Sequence, residues 1–476
     1  MTALRTLTAA GLTLLLAACA DMGHIAPQSQ KLDVAALNAG SAIQAATAPV
    51  AWPDEAWWEA LHDAQLNKLV AAALADNPSL HVTQARVRQA ESLAGVVEAE
   101  DKIQVKADAA TTRTLFSTDG TAPPPLNGTW QWLNTASVSA SYNIDAWGRN
   151  RAALAAALDE VQLTSAESQM ARLSLETAVV RGYIQLSLEY AIGDTIADSL
   201  AQRQRILDIT RRRRAAGLAS DIDVTSIETT LPAGRRALEQ SQEAIALLRN
   251  QLAALIGKGP GDGEAIARPT LKLEQAAGLP PNLPAELLGR RPDIVAQRWR
   301  VEAASKHIDV AKASFYPNIN FAMFAGFESF GFTNFLSAQS AVRGFEPAIS
   351  LPIFDGGRLR GQLGNQTALY DGAVEQYNAT VVQALSEVAN AVTRIQSTRE
   401  QDRLTQNALA SAQRAHALAE KAYRAGMTDS LNEISTRIAL LNEQQQVAQI
   451  SSRQLDNFAT LMAALGGGIK LDLPQH

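Results

Sequence analysis

The chain has 476 residues, with 42 lysines and arginines against 48 aspartates and glutamates, a net charge of −6, and it is 47% hydrophobic. That mild acidity argues against a nucleic-acid partner, and a single cysteine in the whole chain excludes an internal disulfide. Beyond the first residues no run approaches the roughly 18 uninterrupted apolar residues of a membrane-spanning helix, so any crossing of a bilayer falls to strands.

The first predicted element surrounds that cysteine. Arg5 is the only charge ahead of it, followed by an apolar stretch from about Leu7 to Ala18. This stretch is too short to span a bilayer and has the layout of a secretory signal. "LAAC" (Leu16–Cys19) resembles the bacterial lipobox, in which cleavage leaves the cysteine as an N-terminus bearing N-palmitoyl and S-diacylglycerol groups. Residues 1–18 are thus expected to be a lipoprotein signal peptide, and Cys19 an anchor that acyl chains hold to a membrane. Ala20 follows where an aspartate would favour retention at the inner membrane, which points to the outer membrane, although Asp21 comes next. An ordinary signal with a chance cysteine is the alternative. Residues 19–56 read as a tether, small, polar and Ala-rich to about Thr47.

Trp52, Trp57 and Trp58 open the folded region, and Leu80, Ala85, Val87 and Ala94 can share one face of the helix that follows. Two alternating stretches come next. "KIQVKADA" opposes Ile103, Val105 and Ala107 to Gln104, Lys106 and Asp108; "TASVSASYNID" opposes Ala136, Val138, Ala140, Tyr142 and Ile144 to Ser137, Ser139, Ser141, Asn143 and Asp145. They predict strands over about 102–117 and 131–146. Further on, "PNINFAMFAGF" and "FEPAISLPIF" predict strands over about 317–331 and 344–355. Between Pro125 and Pro232, and between Pro352 and Pro474, there is no proline. The stretches 150–215 and 360–424, rich in Ala, Leu, Gln, Glu and Arg, predict helices of some 65 residues, about 100 Å long at 1.5 Å per residue. Return helices are expected at about 220–256 and 428–465, forming coiled-coil hairpins.

The two halves are copies. "DAWGRNR" (Asp145–Arg151) parallels "DGGRLR" (Asp355–Arg360), and Gly148, Gly217 and Gly257 lie 209 residues before Gly357, Gly426 and Gly466. A constant offset at three places signals an internal duplication. We therefore divide the chain into repeat 1 over 57–262, a bridge over 263–284 and repeat 2 over 285–476.

An apolar face backed by a polar one, at period two, suits a membrane β-barrel strand; a half-buried soluble sheet shows the same alternation. The lipobox favours the barrel, because a lipid-tethered chain already sits at a membrane surface. Four strands cannot close a barrel, and about eight is the smallest number that does. The missing strands must come from other copies, and three copies would leave room for a pore. The fold class expected is mainly α with a membrane β-barrel.

"WWEALHDAQLNKLVAAALADNPSL", "RRPDI" (Arg290–Ile294), "ASFYPNINF" and "LPIFDGGRL" make nearly the whole chain resemble the TolC-type outer-membrane efflux factors. The match is to their lipoprotein (OprM/NodT) branch, and the text from "FAGFESFGF" to "LPIFDGGRL" looks most similar to the MdtP and fusaric-acid-resistance channels. The resemblance implies a homotrimer with a twelve-stranded barrel, continued by a periplasmic α-helical tunnel. Its partners would be outer-membrane lipid, a periplasmic adaptor (membrane fusion) protein and an inner-membrane pump, and its cargo drugs or toxic organic compounds.

The resemblance also places a gate at the tips, where each long helix turns into its return helix and acidic side chains ring the aperture. Asp223, six residues after Gly217, falls on an acidic position of the family, with Asp221 beside it. A carboxylate ring on a symmetry axis would favour cations. Equally, Ser220 and Asp221 suit the start of a helix. In the second tip Tyr423 and Gly426 match, but Asn432 and Ser435 stand at the acidic positions, leaving Asp429 and Glu433 as substitutes. Arg211, Arg212, Arg213 and Arg214 form the strongest basic run, read as a solvated helix end or as an adaptor contact together with Gly217 and Gly426. Gly217 and Gly426 fit a turn requiring positive φ.

Enzyme chemistry finds no footing. The six histidines (His24, His62, His81, His307, His416 and His476) are scattered, and no H-E-x-x-H, G-x-S-x-G or P-loop occurs, so neither metal nor cofactor is expected. Two other functions fit the pattern. One is a tethered periplasmic coiled-coil scaffold or adaptor lipoprotein, the other an outer-membrane pore for type I protein export.

Overall fold

The computed structural model describes residues 22–34, 37, 38, 40, 43, 52–273 and 283–469. Cys19 with the rest of 1–21, most of 35–51, the bridge residues 274–282, and 470–476 including His476 lie outside them. The chain forms two compact units. One draws on 86–164, 297–377 and the segment ending at Lys31; the other on the described parts of 32–85, 165–296 and 378–476.

The first unit holds a four-stranded sheet of β1 (Gln104–Leu115), β2 (Trp130–Ile144), β3 (Asn318–Phe330) and β4 (Ala341–Ser350), in the order β1-β2-β3-β4. All pairings are antiparallel, so the two expected hairpins fuse through β2 and β3 into one sheet. Val105, Ala140, Met323 and Phe345 lie opposite one another in register and share a face; Lys106, Ser139, Phe324 and Gly344 form a row on the other. Among the described residues β1 pairs only with β2 and β4 only with β3, which leaves two open edges. β4 runs from Ala341 and stops at Ser350, short of the 344–355 expected. Pro352 has no N–H to carry the ladder onward.

Aromatic pairs bracket the sheet. At one end Trp147 stacks on Tyr316 at 4.8 Å and donates its Nε1–H to the Pro317 carbonyl at 2.8 Å. At the other, Trp132 meets Phe332 and Phe116 meets Phe330, each at 5.8 Å. The same unit contains most of helix α8 (Pro292–Ala313) and the start of α9 (Arg358–Arg424), whose first turn is capped by Asp355 accepting from Gly357 and Leu359 N–H. Met22 and Ile25 pack on Ile308, Phe315, Leu359 and Leu363. The strap continues through N–H donations from Gln28 and Ser29 to Asp371, both at 2.9 Å, and a Lys31–Glu302 ion pair at 2.8 Å.

Helices dominate the second unit: α1 (Ala64–Asp76), the start of α2 (Pro78–Glu100), most of α3 (Arg149–Ala215), then α4 (Asp221–Glu228), α5 (Thr230–Leu255), α6 (Pro260–Glu264) and α7 (Leu283–Arg290), with the rest of α9 and α10 (Ser430–Ala464). Its core packs Trp57, Leu61, Tyr183, Leu252, Val388 and Leu461 together. Burying each large side chain stabilises the fold by roughly 1.5–3 kcal/mol. In α2 the expected apolar face needs one correction. Leu80 and Ala94 are buried but Ala85 is exposed, and Thr83 and Ala90 complete the stripe at spacings of three and four. The first return helix is interrupted at Thr229, although that residue keeps helical dihedrals. Pro232 cannot donate to the Glu228 carbonyl, and its ring crowds that group.

Duplication is visible as matched chemistry. α3 and α9 contain 67 residues each and begin 209 residues apart. Asn77 Nδ2 donates to the Leu255 carbonyl at 2.8 Å; Arg291 Nη1 donates to the Ala464 carbonyl, its repeat equivalent, at 3.0 Å. Gly257 and Gly466 have φ of 73° and 91°, and a Cβ on either would strike the backbone carbonyl of Asp76 or Arg290. Repeat 2 replaces the neutral Asn77 by a buried arginine, which Asp293 at 2.6 Å and Glu387 at 2.8 Å neutralise.

Two expectations follow. Gly466→Ala should lose at least about 1 kcal/mol in chemical denaturation, since positive φ and a blocked Cβ act together. Glu176 is 1% exposed, and burial raises its pKa to about 7 despite the hydrogen bond from Arg172 at 2.9 Å. The folded state therefore binds a proton that the unfolded state releases near its ordinary value. This contribution is complete below that value and disappears as pH rises through 7. Melting temperature should fall between pH 5 and 8, and Glu176→Gln should flatten that decline, which at most reflects about 3 kcal/mol.

Candidate functional site

The tips are built alike. At the first, Leu218 N–H reaches the Arg213 carbonyl at 2.8 Å and Gly217 N–H the Arg214 carbonyl at 2.9 Å; at the second, Met427 reaches Ala422 at 2.8 Å and Gly426 reaches Tyr423 at 3.0 Å. This is a Schellman ending, with Gly217 at φ 76° and Gly426 at φ 71° supplying its left-handed residue. The next helices then begin on matched caps. Ser220 Oγ accepts from Asp223 N–H at 3.2 Å while Asp223 Oδ2 accepts from Ser220 N–H and Oγ–H, both at 2.7 Å. Asp429 accepts from Asn432 N–H at 3.1 Å. These donors, the Ser220 N–H first, hold the Asp223 carboxyl below the usual carboxylate range.

The acidic and basic tip residues mostly face one another. Arg211 pairs with Glu228 at 2.6 Å, Arg214 with Asp221 at 2.7 Å, and Arg213 with Asp429 at 3.2 Å. Arg212 instead donates to the Asp208 carbonyl at 3.3 Å. The basic run is thus largely neutralised within the chain, and Arg213–Asp429 ties the first tip to the second. Asn432 Nδ2 donates to Thr428 Oγ1 at 3.3 Å, Glu433 lies in the first turn of α10, and Tyr423 is about half exposed. Sequence reasoning passed over three apolar side chains here: Leu218, Ile222 and Met427 are 70–80% exposed. For Leu218 and Met427 the signal was an apolar residue directly after the turn glycine in both repeats.

Another missed residue is Asp63, nearly fully buried at the start of α1. It accepts from Leu66 N–H at 3.1 Å, Tyr183 Oη–H at 3.1 Å and Thr270 N–H at 2.8 Å. Burial works to raise its pKa, but the hydrogen bonds from Thr270, Leu66 and Tyr183 outweigh it. Asp63 thus binds α1, α3 and the segment at Thr270 together. Among the described residues no group of three or more His, Cys, Asp or Glu is placed to hold a metal.

The two faces of the sheet differ in chemistry, although neither is pure: Arg113, Asn134 and Arg343 stand on the apolar side, and Leu133, Phe324 and Phe330 on the polar one. Lys106, Asp108, Glu328 and Glu346 share one side with serines and asparagines, and Lys106 lies 3.6 Å from Asp108. The opposite side carries Val105, Val138, Tyr142, Phe321, Met323, Phe345 and Ile349. Such a wall can face hydrocarbon on one side and a water-filled lumen on the other.

Residues 69–258 and 283–467 match the family described as outer membrane efflux protein. Over 361 residues the chain is 44% identical to the fusaric acid resistance protein FusA of Burkholderia cepacia, covering 75% of this chain and 68% of that protein. It is 29% identical over 470 residues to the multidrug resistance outer membrane protein MdtP of Escherichia coli (strain K12), covering 96% and 95% of the two. The crystal structure of the outer membrane protein VceC from Vibrio cholerae is similar with a TM-score of 0.80 and 34% identity, covering 88% of this chain and 100% of that one. The chain belongs to the outer membrane efflux protein family. It is an outer-membrane channel component of a tripartite efflux system. The family comprises trimeric channels with a β-barrel and an α-helical tunnel, which extend into the periplasm and work with adaptors and inner-membrane pumps.

The cap geometry gives a direct expectation for the tips. Ser220→Ala should speed amide exchange across α4 by the equivalent of about 1 kcal/mol, measured by hydrogen–deuterium exchange, and leave α10 unchanged.

Proposed function

We propose that this chain, as a homotrimer contributing four strands per copy to one barrel, passively conducts small toxic organic compounds from periplasm to exterior. The observation that carries the reading is the sheet with one apolar face and two open edges. Unpaired backbone groups cost several kcal/mol each in hydrocarbon, so β1 and β4 must pair between copies. The names of FusA and MdtP, resistance to fusaric acid and to multiple drugs, support a small organic cargo. Repeats over 57–262 and 285–476 each supply one hairpin of wall and one of tunnel.

Lipid anchoring at Cys19 is part of the same proposal. Met22, three residues further on, packs at the foot of α9 beside the sheet's Trp147–Tyr316 end. Three residues reach no more than about 10 Å, which suits acyl chains entering the bilayer next to the barrel rim. Gating is assigned to the tips, with Arg213–Asp429 as the tie within each chain and Asp221, Asp223, Tyr423, Asn432 and Glu433 around it. Asp223 serves first as a helix cap. The adaptor contact is assigned to the turns at Gly217 and Gly426, where Leu218, Ile222 and Met427 stand exposed beside Arg211, Arg212, Arg213 and Arg214.

Full-length protein purified in mild detergent should be trimeric and pass ions in planar bilayers. Arg213→Ala should raise the single-channel current several-fold, because an exposed pair worth about 0–1 kcal/mol is lost in every copy. Cys19→Ser should remain a trimer but lose its mass of acyl groups. A monomer that carries no current would overturn the proposal.

A further inference from the structure

The lipid-facing side of the sheet carries two charges of one sign. In register, the positions sharing the face of Val138 and Met323 include Arg113 on β1 and Arg343 on β4, and no aspartate or glutamate on any of the four strands. The opposite face holds Asp108, Glu328 and Glu346 against Lys106 alone. Among the described residues neither arginine pairs with a carboxylate, and both side chains are exposed. An arginine on a lipid-facing strand is costly at mid-membrane and close to neutral at the interface.

Arg113 is held in place. Its guanidinium lies 5.5 Å from the Trp130 ring centroid and 5.8 Å from that of Trp132, and Trp132 leans on Phe332. Beneath it Thr111 donates to Asn134 Oδ1 at 2.6 Å, and Asn134 Nδ2 to the Gly331 carbonyl at 2.8 Å. Amphipathic aromatics mark a bilayer interface, and two cation–π contacts fix the cation while leaving its N–H edge free to donate. Arg113 is two residues from the end of β1, and Arg343 two residues from the start of β4. Among the described residues these are the two strands without a second neighbour. Antiparallel pairing between copies, the reading of the preceding subsection on which this inference rests, brings Arg113 of one copy and Arg343 of the next to the same end of one seam.

We propose that each seam binds the phosphate of an anionic lipid in the outer leaflet. The two guanidinium groups take its oxygens, Trp130 and Trp132 flank the headgroup, and the acyl chains lie on the apolar face below. The bound lipid would bridge neighbouring copies where their edge strands meet.

Delipidated full-length trimer titrated with purified lipid A and examined by native mass spectrometry should take up lipid saturably, one per seam. Arg113→Gln and Arg343→Gln should each lower retention about tenfold, as loss of a charge-assisted bidentate contact does; Lys106→Gln, on the opposite face, should leave it unchanged. Trimers whose retention is the same with and without the arginines overturn the inference, as does equal displacement of lipid A by millimolar inorganic phosphate. Should Arg113→Gln fail to assemble, Arg343→Gln decides. A wild-type protein that is itself monomeric removes the seam and the proposed channel together, which separates that failure from a trimer that merely binds no lipid.

Discussion

Backbone hydrogen bonding at the sheet edges constrains everything else in this protein. β1 and β4 each present an outer row of backbone N–H and C=O groups with no partner among the described residues, and in hydrocarbon no solvent can satisfy them. A soluble sheet of the same topology could leave its edges in water or blunt them with charge. This one cannot, because a continuous apolar face runs from Ile144, Ile319 and Ile349 at one end to Phe327 and Ala136 near the other. Membrane residence and self-assembly are thus one requirement.

The helical part answers a different demand. Helices of 67 residues gain little from propensity alone, and packing along a seam must hold them. The second unit concentrates its buried side chains around Trp57, Tyr183 and Leu252, and it ties helix ends with polar side chains rather than greater bulk. Asn77 and Arg291 do the same task in the two repeats, each donating to the last turn of the returning helix. Replacing a neutral amide by arginine brought Asp293 and Glu387 with it, since a buried guanidinium without carboxylates would be strongly unfavourable. The repeats have kept their geometry while diverging in charge.

The tips show how a motif can serve two ends. Ser220 and Asp223 begin a helix and in doing so occupy the carboxylate that a charge ring would use. Arg213, Arg214 and Arg211 are consumed by Asp429, Asp221 and Glu228. The exposed surface at the turn is therefore more apolar than the run of four arginines suggests.

Much of this architecture was legible in order along the chain, because its rules are local. Alternation at period two marked all four strands, missing prolines marked the long helices, and a constant 209-residue offset marked the duplication. Two misses were local, since β4 ended at Ser350 ahead of Pro352 and Pro232 interrupted a return helix that composition alone would continue, whereas packing decided that Ala85 turned to solvent. By itself the sequence determined which elements exist and which face of each is apolar, since these follow from covalent spacing and side-chain polarity. Only the tertiary structure decided that two hairpins share one sheet, that Arg213 meets Asp429, and that Arg113 and Arg343 stand on the apolar face of both open edges. Such pairings join residues as many as 216 positions apart, and no local period encodes which distant partner a side chain will find.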